Sequence, residues 1–309
     1  MNVEGEEPRV RVDLFDDEMF EDEPAPAPRK PPREPRQGRK KRRRGSGETA
    51  KRILVALPWI IFAIAITVAG GIVFTLAMIA IGVVALREFD TIAARYRPLV
   101  IPAYLAVAGL VLAAHFGTAF NILYVIAASL PLIFAFAARP RHQEGATVSI
   151  GVTLLGVIWI GIPLAHAVLL RDLPNHGAAL LIDVLVGTFV ADTAAYATGR
   201  MFGSHKITPN ISPNKTVEGL IGGFLIGTMG FWFAGLYQDW LSGVDALLIG
   251  AAVAAVAPIG DLFESMLKRD LGTKDTGTIF GPHGGLLDRL DAVFFTVVVG
   301  YYLAIALVY

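Results

Sequence analysis

The chain has 309 residues, no cysteine and a formal net charge of zero, with 27 Lys/Arg against 27 Asp/Glu. Its 54% hydrophobic and 17% charged content lies far from a soluble average, and the absence of cysteine excludes disulfides, thiolate metal sites and cysteine nucleophiles. The zero charge averages two unlike parts, because the first 52 residues alone carry 14 of the basic and 12 of the acidic side chains.

That leader changes sign along its length. "EGEEPRVRVDLFDDEMFEDE" is acidic, and "PAPAPRKPPREPRQGRKKRRRGSG" is Pro-rich and then strongly basic. Neither half offers enough apolar surface to offset chain entropy, so residues 1–52 are expected to be a disordered, charged cytoplasmic tail. No cleavable signal is evident, since the first apolar run begins only at about Ile53. The run "RKKRRR" stands directly before a span, where it fixes topology or meets anionic headgroups. Nucleic acid is not expected as a partner.

From there the sequence predicts an all-α, polytopic integral membrane protein of about nine transmembrane helices. The apolar runs are roughly 53–69, 71–87, 98–115, 119–137, 147–170, 178–199, 217–237, 244–267 and 289–309, each close to the length that crosses a hydrocarbon core. With the leader in the cytoplasm, twelve Lys/Arg from Arg87 to Arg289 fall in inner loops and Arg171 alone in an outer one. This is the asymmetry of the positive-inside rule. It predicts a cytoplasmic N-terminus, an external C-terminus and two long polar segments, 199–216 and 265–291, on the cytoplasmic face.

The sixth span ends "FVADTAAYATGR". Helical spacing sets Asp192, Tyr196 and Gly199 on one face with Arg200 close by, while Asp183 points the opposite way and is left structural or unassigned. In "NISPNKTVEG", Ser212 before Pro213 reads as a helix start, with Ser as cap and Pro at the first helical position. A helix N-terminus beside Lys215 also suits a phosphate. The glycines of a Walker loop are absent.

The eighth span closes "VAPIGDLFESMLKRD". Asp261, Ser265 and Lys268 fall on one stripe, flanked by Glu264 and Arg269. Carboxylates at the end of a span are costly unless paired, hydrated or bound to metal. A local Asp261–Lys268 or Glu264–Lys268 pair that merely ends the helix is the bland alternative. The ninth span opens "GPHGGLLDRLD", where Gly284 and Gly285 allow a tight turn or close approach to a ligand. His283 alone reads more readily as a solvated loop histidine than as a catalyst. Taken together, Asp261, Asp275, Asp288 and Asp291 stand beside Lys268, Arg269, Lys274 and Arg289. Hard divalent cations bind carboxylate oxygens together with substrate phosphates, and cations neutralise the remaining phosphate charge. The parts suit metal-assisted phosphoryl or nucleotidyl transfer. An ion path through Asp192 and Asp261, as in a transporter, is disfavoured because no internal repeat is visible and the charges sit at one face.

The run Ser265, Lys268-Arg269, Lys274-Asp275, Gly277, His283-Gly284-Gly285, Asp288-Arg289 and Asp291 resembles the signature of the phosphatidate cytidylyltransferase (CDP-diacylglycerol synthase) family. "DTAAYATGRMFG", "ISPNKTVEG" and the acidic position Glu88 in "REFD" are similar to other blocks of that family, and the resemblance covers about 53–309. The order "FGPHGG" departs from the usual Pro-before-Gly. The resemblance implies transfer of CMP from CTP to phosphatidic acid at the cytoplasmic side of the cell (inner) membrane, with Mg²⁺, a second cation such as K⁺, and a homodimer among membrane lipids. It also implies Asp261 and Asp288 as metal ligands, with Lys268 and Arg289 completing the catalytic set. Ser212, Asn214, Lys215, Thr216, Ser265, Arg269, Lys274, His283, Gly284 and Gly285 are the substrate-binding candidates it suggests. Asp192, Tyr196, Arg200, Glu218, Asp275 and Asp291 are supporting candidates. The "DGxxAR" block of enzymes that consume CDP-diacylglycerol is absent, while transfer to another phosphorylated lipid stays open.

Overall fold

The computed structural model describes residues 46–139, 145–279 and 284–309, with side chains from Leu57 onward. Residues 52–309 form one body, and its helices stand where the apolar runs predict them. They are α1 Ser46–Ala69, α2 Gly71–Ile92, α3 Val100–Phe116, α4 Ala119–Ala137, α5 Ala146–Gly156, α6 Ile162–Arg171, α7 Gly177–Phe202, α8 Val217–Gly235, α9 Gly243–Asp270 and α10 Leu287–Leu307. Helix α1 begins at Ser46, inside the stretch expected to be disordered, while residues 1–45 of that expectation lie outside the described residues. Helices α5 and α6 are one rod, joined by a π-helical turn over 157–161.

Among the described residues, seven segments are long and apolar enough to cross a membrane. The predicted first and third spans correspond to shorter apolar stretches, Leu57–Ala69 and Val100–Phe116. The chain is thus an all-α integral membrane protein, with seven segments of spanning length among the described residues.

Three features of the packing set up the polar end of this bundle. The first is the close seam between α7 and α8. Gly223 and Gly227 face Ala195 and Ala191, and a Cβ on either glycine would lie 2.8 or 2.6 Å from the opposing alanine Cβ. Small residues allow such approach where lipid supplies no hydrophobic drive between helices.

The second is the π turn, which aims Trp159 into the core. Its ring meets Phe89 of α2, Phe263 of α9 and Phe294 of α10 edge-on, at centroid separations of 5.9, 5.4 and 6.2 Å. Edge-to-face contacts of this kind favour one relative placement of the helices, and the neighbours Glu88 and Glu264 ride on it.

The third lies in α9, where Pro258 interrupts the backbone ladder. Two residues later, Gly260 packs so close to α10 that a Cβ would collide with the Asp291 carbonyl.

A short hairpin links α7 and α8: β1 Lys206–Thr208 pairs antiparallel with β2 Ser212–Thr216, Lys206 opposite Thr216 and Thr208 opposite Ser212, with a register irregularity between them. Ser212 is therefore not a helix cap, contrary to the sequence reading. Thr216 caps α8, its side chain accepting a hydrogen bond from the Gly219 N–H at 3.1 Å. Pro213 is accommodated because a two-stranded ribbon is all edge, where a missing N–H costs little.

Candidate active site

At the polar ends of α7, α9 and α10, a cavity of about 320 Å³ is lined by Asp192, Asp261, Glu264, Lys268, Asp275, Asp288, Arg289 and Asp291. Six carboxylates thus face two basic side chains, and a third base reaches in: Lys215 Nζ lies 2.7 Å from Asp261 Oδ2. Each contributor arrives by a local rule. Asp261, Glu264 and Lys268 recur at three- and four-residue spacing on α9, which brings them to one face. Asp288 occupies the first turn of α10, where negative charge is favoured by the helix dipole, and Asp291 follows three residues on, on the same face. Asp192 stands on α7 beside Ala191, whose Cβ meets the glycine seam of α8.

The charged groups interlock. Lys268 Nζ sits 2.7 Å from Glu264 Oε2 and 2.7 Å from Asp288 Oδ1, with Glu264 1% exposed and Asp288 8%. Asp288 Oδ2 accepts hydrogen bonds from the Gly285 N–H at 2.7 Å, the Thr276 N–H at 3.0 Å and the Thr276 hydroxyl at 2.9 Å. Gly284 has φ +84°, and a Cβ there would lie 2.5 Å from Asp288 Oδ2. The close-approach role expected of this glycine pair thus acts on a side chain within the protein. Ser265 Oγ donates to Asp261 Oδ1 at 3.4 Å.

Other candidates stand elsewhere. Among the described residues lining the cavity, Tyr196 and Arg200 do not appear; they are exposed, and Arg200 Nη1 donates to the Tyr196 hydroxyl at 3.0 Å. Glu218 turns to His205, 2.6 Å from its Nδ1. Arg269 donates to the Ile211 carbonyl at 3.3 Å and so clasps the hairpin to α9. Lys274 and Asn214 are exposed, Ser212 half-buried in β2, and Thr216 buried as the α8 cap. His283 lies outside the described residues. Asp183, left structural or unassigned by the sequence, is buried and accepts from Gln238 Nε2 at 2.7 Å.

Thr276 escaped the sequence reading, because a threonine in a polar loop has no periodicity to flag it. Glu264 was read as a flank of the α9 stripe and a pairing partner for Lys268, and not as a member of the site. Yet it is the most buried ionisable group of the site, and its Oε1 is buried without a hydrogen-bond partner.

The described residues contain no ready-made cluster of three or more metal-ligating side chains. A hard divalent cation does not require one, since Mg²⁺ binds through one or two carboxylates and completes its shell with phosphate oxygens and water. The excess of carboxylate over base in the cavity, and the unpartnered Glu264 oxygen within it, fit such a cation.

Residues 50–307 match the model described as "Cytidylyltransferase family". Among curated proteins, the chain is similar to the phosphatidate cytidylyltransferase of Thermotoga maritima, at 43% identity over 134 residues, covering 41% of this chain and 49% of that protein. It resembles the Haemophilus influenzae protein of the same name at 38% over 125 residues (39% and 43%). The Bacillus subtilis one matches at 36% over 155 residues (50% and 58%). The matched stretch spans about half the length of each relative. With more than four-fifths of its length matched by the family model, the chain belongs to the cytidylyltransferase family.

Proposed function

We propose that this protein transfers CMP from CTP to phosphatidic acid, giving CDP-diacylglycerol and pyrophosphate for phospholipid synthesis, at the cytoplasmic face of the cell (inner) membrane. The observation that carries the reading is the cavity in which Asp261 and Asp288 meet Lys215, Lys268 and Arg289 at the end of a membrane helix bundle. A triphosphate and a lipid headgroup both need compensation of negative charge, and the family membership supports a nucleotide substrate.

In the reaction, an oxygen of the lipid phosphate forms a bond to the α-phosphorus of CTP. The bond from that phosphorus to the oxygen bridging to the β-phosphate breaks, and its electron pair leaves with pyrophosphate. A phosphate monoester has its second pKa near ~6 and is largely dianionic at neutral pH, so the nucleophile requires no strong base. His283 then acts electrostatically or in positioning. Asp261 and Asp288 would hold Mg²⁺, with K⁺ as a second cation. Bound Mg²⁺ supplies stabilisation of the charge that develops on the triphosphate oxygens. Lys268 keeps Asp288 and Glu264 in place through its two 2.7 Å contacts, and Lys215 offsets the charge of Asp261. Arg289 lines the cavity and faces the phosphates, while Arg269 and Lys274, both exposed, draw the nucleotide in. A homodimer completes the proposal, and a single-chain mass in lipid nanodiscs would remove it.

The test uses the purified protein in lipid nanodiscs with phosphatidic acid and labelled CTP, with and without Mg²⁺. Label in the lipid phase and pyrophosphate in the aqueous phase are expected together, and only with the metal. A folded protein that yields neither product from phosphatidic acid or from other phosphorylated lipids overturns the reading.

A further inference from the structure

The buried carboxylate of Glu88 lies on α2, far in sequence from the site, and is 6% exposed. Burial of an ionisable group at such a position is costly unless its oxygens are taken up. The partners here are specific. Glu88 Oε1 accepts from the Leu286 N–H at 2.9 Å, and Oε2 accepts from the Leu287 N–H at 2.9 Å and faces the Thr276 hydroxyl at 3.4 Å. Leu286 and Leu287 begin α10, whose own N-cap residue supplies no side-chain hydrogen bond. Glu88 therefore does, from another helix, what a capping residue does: it satisfies two orphan N–H donors and sets a negative charge at the helix N-terminus.

The loop is shaped around this carboxylate. A Cβ on Gly277 would lie 2.5 Å from Glu88 Oε1, and one on Gly285 would collide with Glu88 and lie 2.5 Å from Thr276 Oγ1. Two of these residues, Gly285 and Thr276, supply the three donors that hold Asp288 Oδ2. The Thr276 hydroxyl sits between the two acids and has one proton to give. The 2.9 Å separation to Asp288 against 3.4 Å to Glu88 assigns that proton to Asp288. Asp288 Oδ1 is held independently by Lys268.

We propose that Glu88 is a positioning residue for Asp288: by holding the Leu286 and Leu287 N–H groups it fixes the start of α10 and with it the carboxylate that α10 presents to the cavity. The kinetic part of its test rests on the cytidylyl-transfer reading above; the structural part does not. Glu88→Gln presents an amide N–H₂ where backbone N–H donors require an acceptor. It should lower kcat roughly 10- to 100-fold, the usual effect of losing a group that orients a ligand. KM for CTP should stay within about twofold of the wild type, because an orientation made for the reacting geometry acts on turnover and not on ground-state binding. Amide hydrogen exchange in nanodiscs should speed up in 276–279 and 284–291 and nowhere else. In a second pair, Thr276→Val should lose kcat while Thr276→Ser, which keeps the hydroxyl, retains it.

Wild-type kcat and unchanged exchange in Glu88→Gln would overturn the proposal. Faster exchange throughout the bundle, with activity falling only as the folded fraction falls, would overturn it too, by making Glu88 a fold-wide support. If the wild type turns over neither CTP nor phosphatidic acid, the functional reading fails. The exchange pattern in Glu88→Gln then still decides whether Glu88 anchors this loop.

Discussion

Asp288 accepts four hydrogen bonds, one through Lys268 and three through the loop that precedes α10. A carboxylate so constrained is held in one rotamer, which is what a group that orients metal and phosphate requires. Asp288→Asn keeps the shape but removes the charge and turns a donor toward either Lys268 or the loop. It should reduce turnover at least about 100-fold, while membrane insertion and the solubilised yield stay unchanged. Full activity would remove Asp288 from the site. Lys268 presents a different case, because it serves two buried acids. Replacing it by Met leaves Glu264 and Asp288 facing each other uncompensated. The cost should be about 3–5 kcal/mol, read as a lowered midpoint in thermal unfolding in detergent. The sequence reading placed Lys268 on the right helical stripe, and one of its alternatives, pairing with Glu264, is realised. The second partner, Asp288, lies twenty residues on across a loop, a distance at which helical periodicity carries no information.

At the scale of elements, the α7–α8 seam and the hairpin decide where polar residues end up. Gly223→Val inserts a branched side chain where a single Cβ would already lie 2.8 Å from Ala195 and 2.9 Å from the Ala191 carbonyl. Overpacking of this order costs about 1–3 kcal/mol. It should push α7, and with it Asp192, away from the cavity. Both a lower unfolding midpoint and reduced turnover are expected; an unchanged midpoint would show that the seam has slack. The hairpin also explains why the start of α8 was misplaced by four residues. Ser212-Pro213 and Thr216 are each plausible helix starts by local chemistry. The choice fell to Thr216 because residues 212–216 pair with 206–208, a contact that no local preference encodes. Once extended, that strand delivers Lys215 to Asp261, so the element that defeated the capping argument also builds part of the site.

At the scale of the whole molecule, topology is the testable property. The chain has no cysteine, so single cysteines report sidedness cleanly. Asn210→Cys in the hairpin turn should react with an impermeant maleimide only from the cytoplasmic side, and Asp239→Cys, in the exposed turn after α8, only from the other. Labelling of both from one side would remove α8 as a span and the proposed orientation with it. The expectation of nine spans rests on run length. Among the described residues, seven segments meet the criteria of length and apolarity; the third run forms the 17-residue helix Val100–Phe116, and of the first run only Leu57–Ala69 lies among the residues whose side chains are described. Fold class, the order of the helices and the chemical character of the site were legible in the chain alone. They depend on run length, helical periodicity and residue type, all of which are local. Which acid pairs with which base was decided only by tertiary structure, as was the cap of α10 contributed by Glu88 and the burial of Glu264. These depend on side chains up to two hundred residues apart meeting in one place, and that follows from helix packing around Trp159 and the small-residue seams, not from any stretch read by itself.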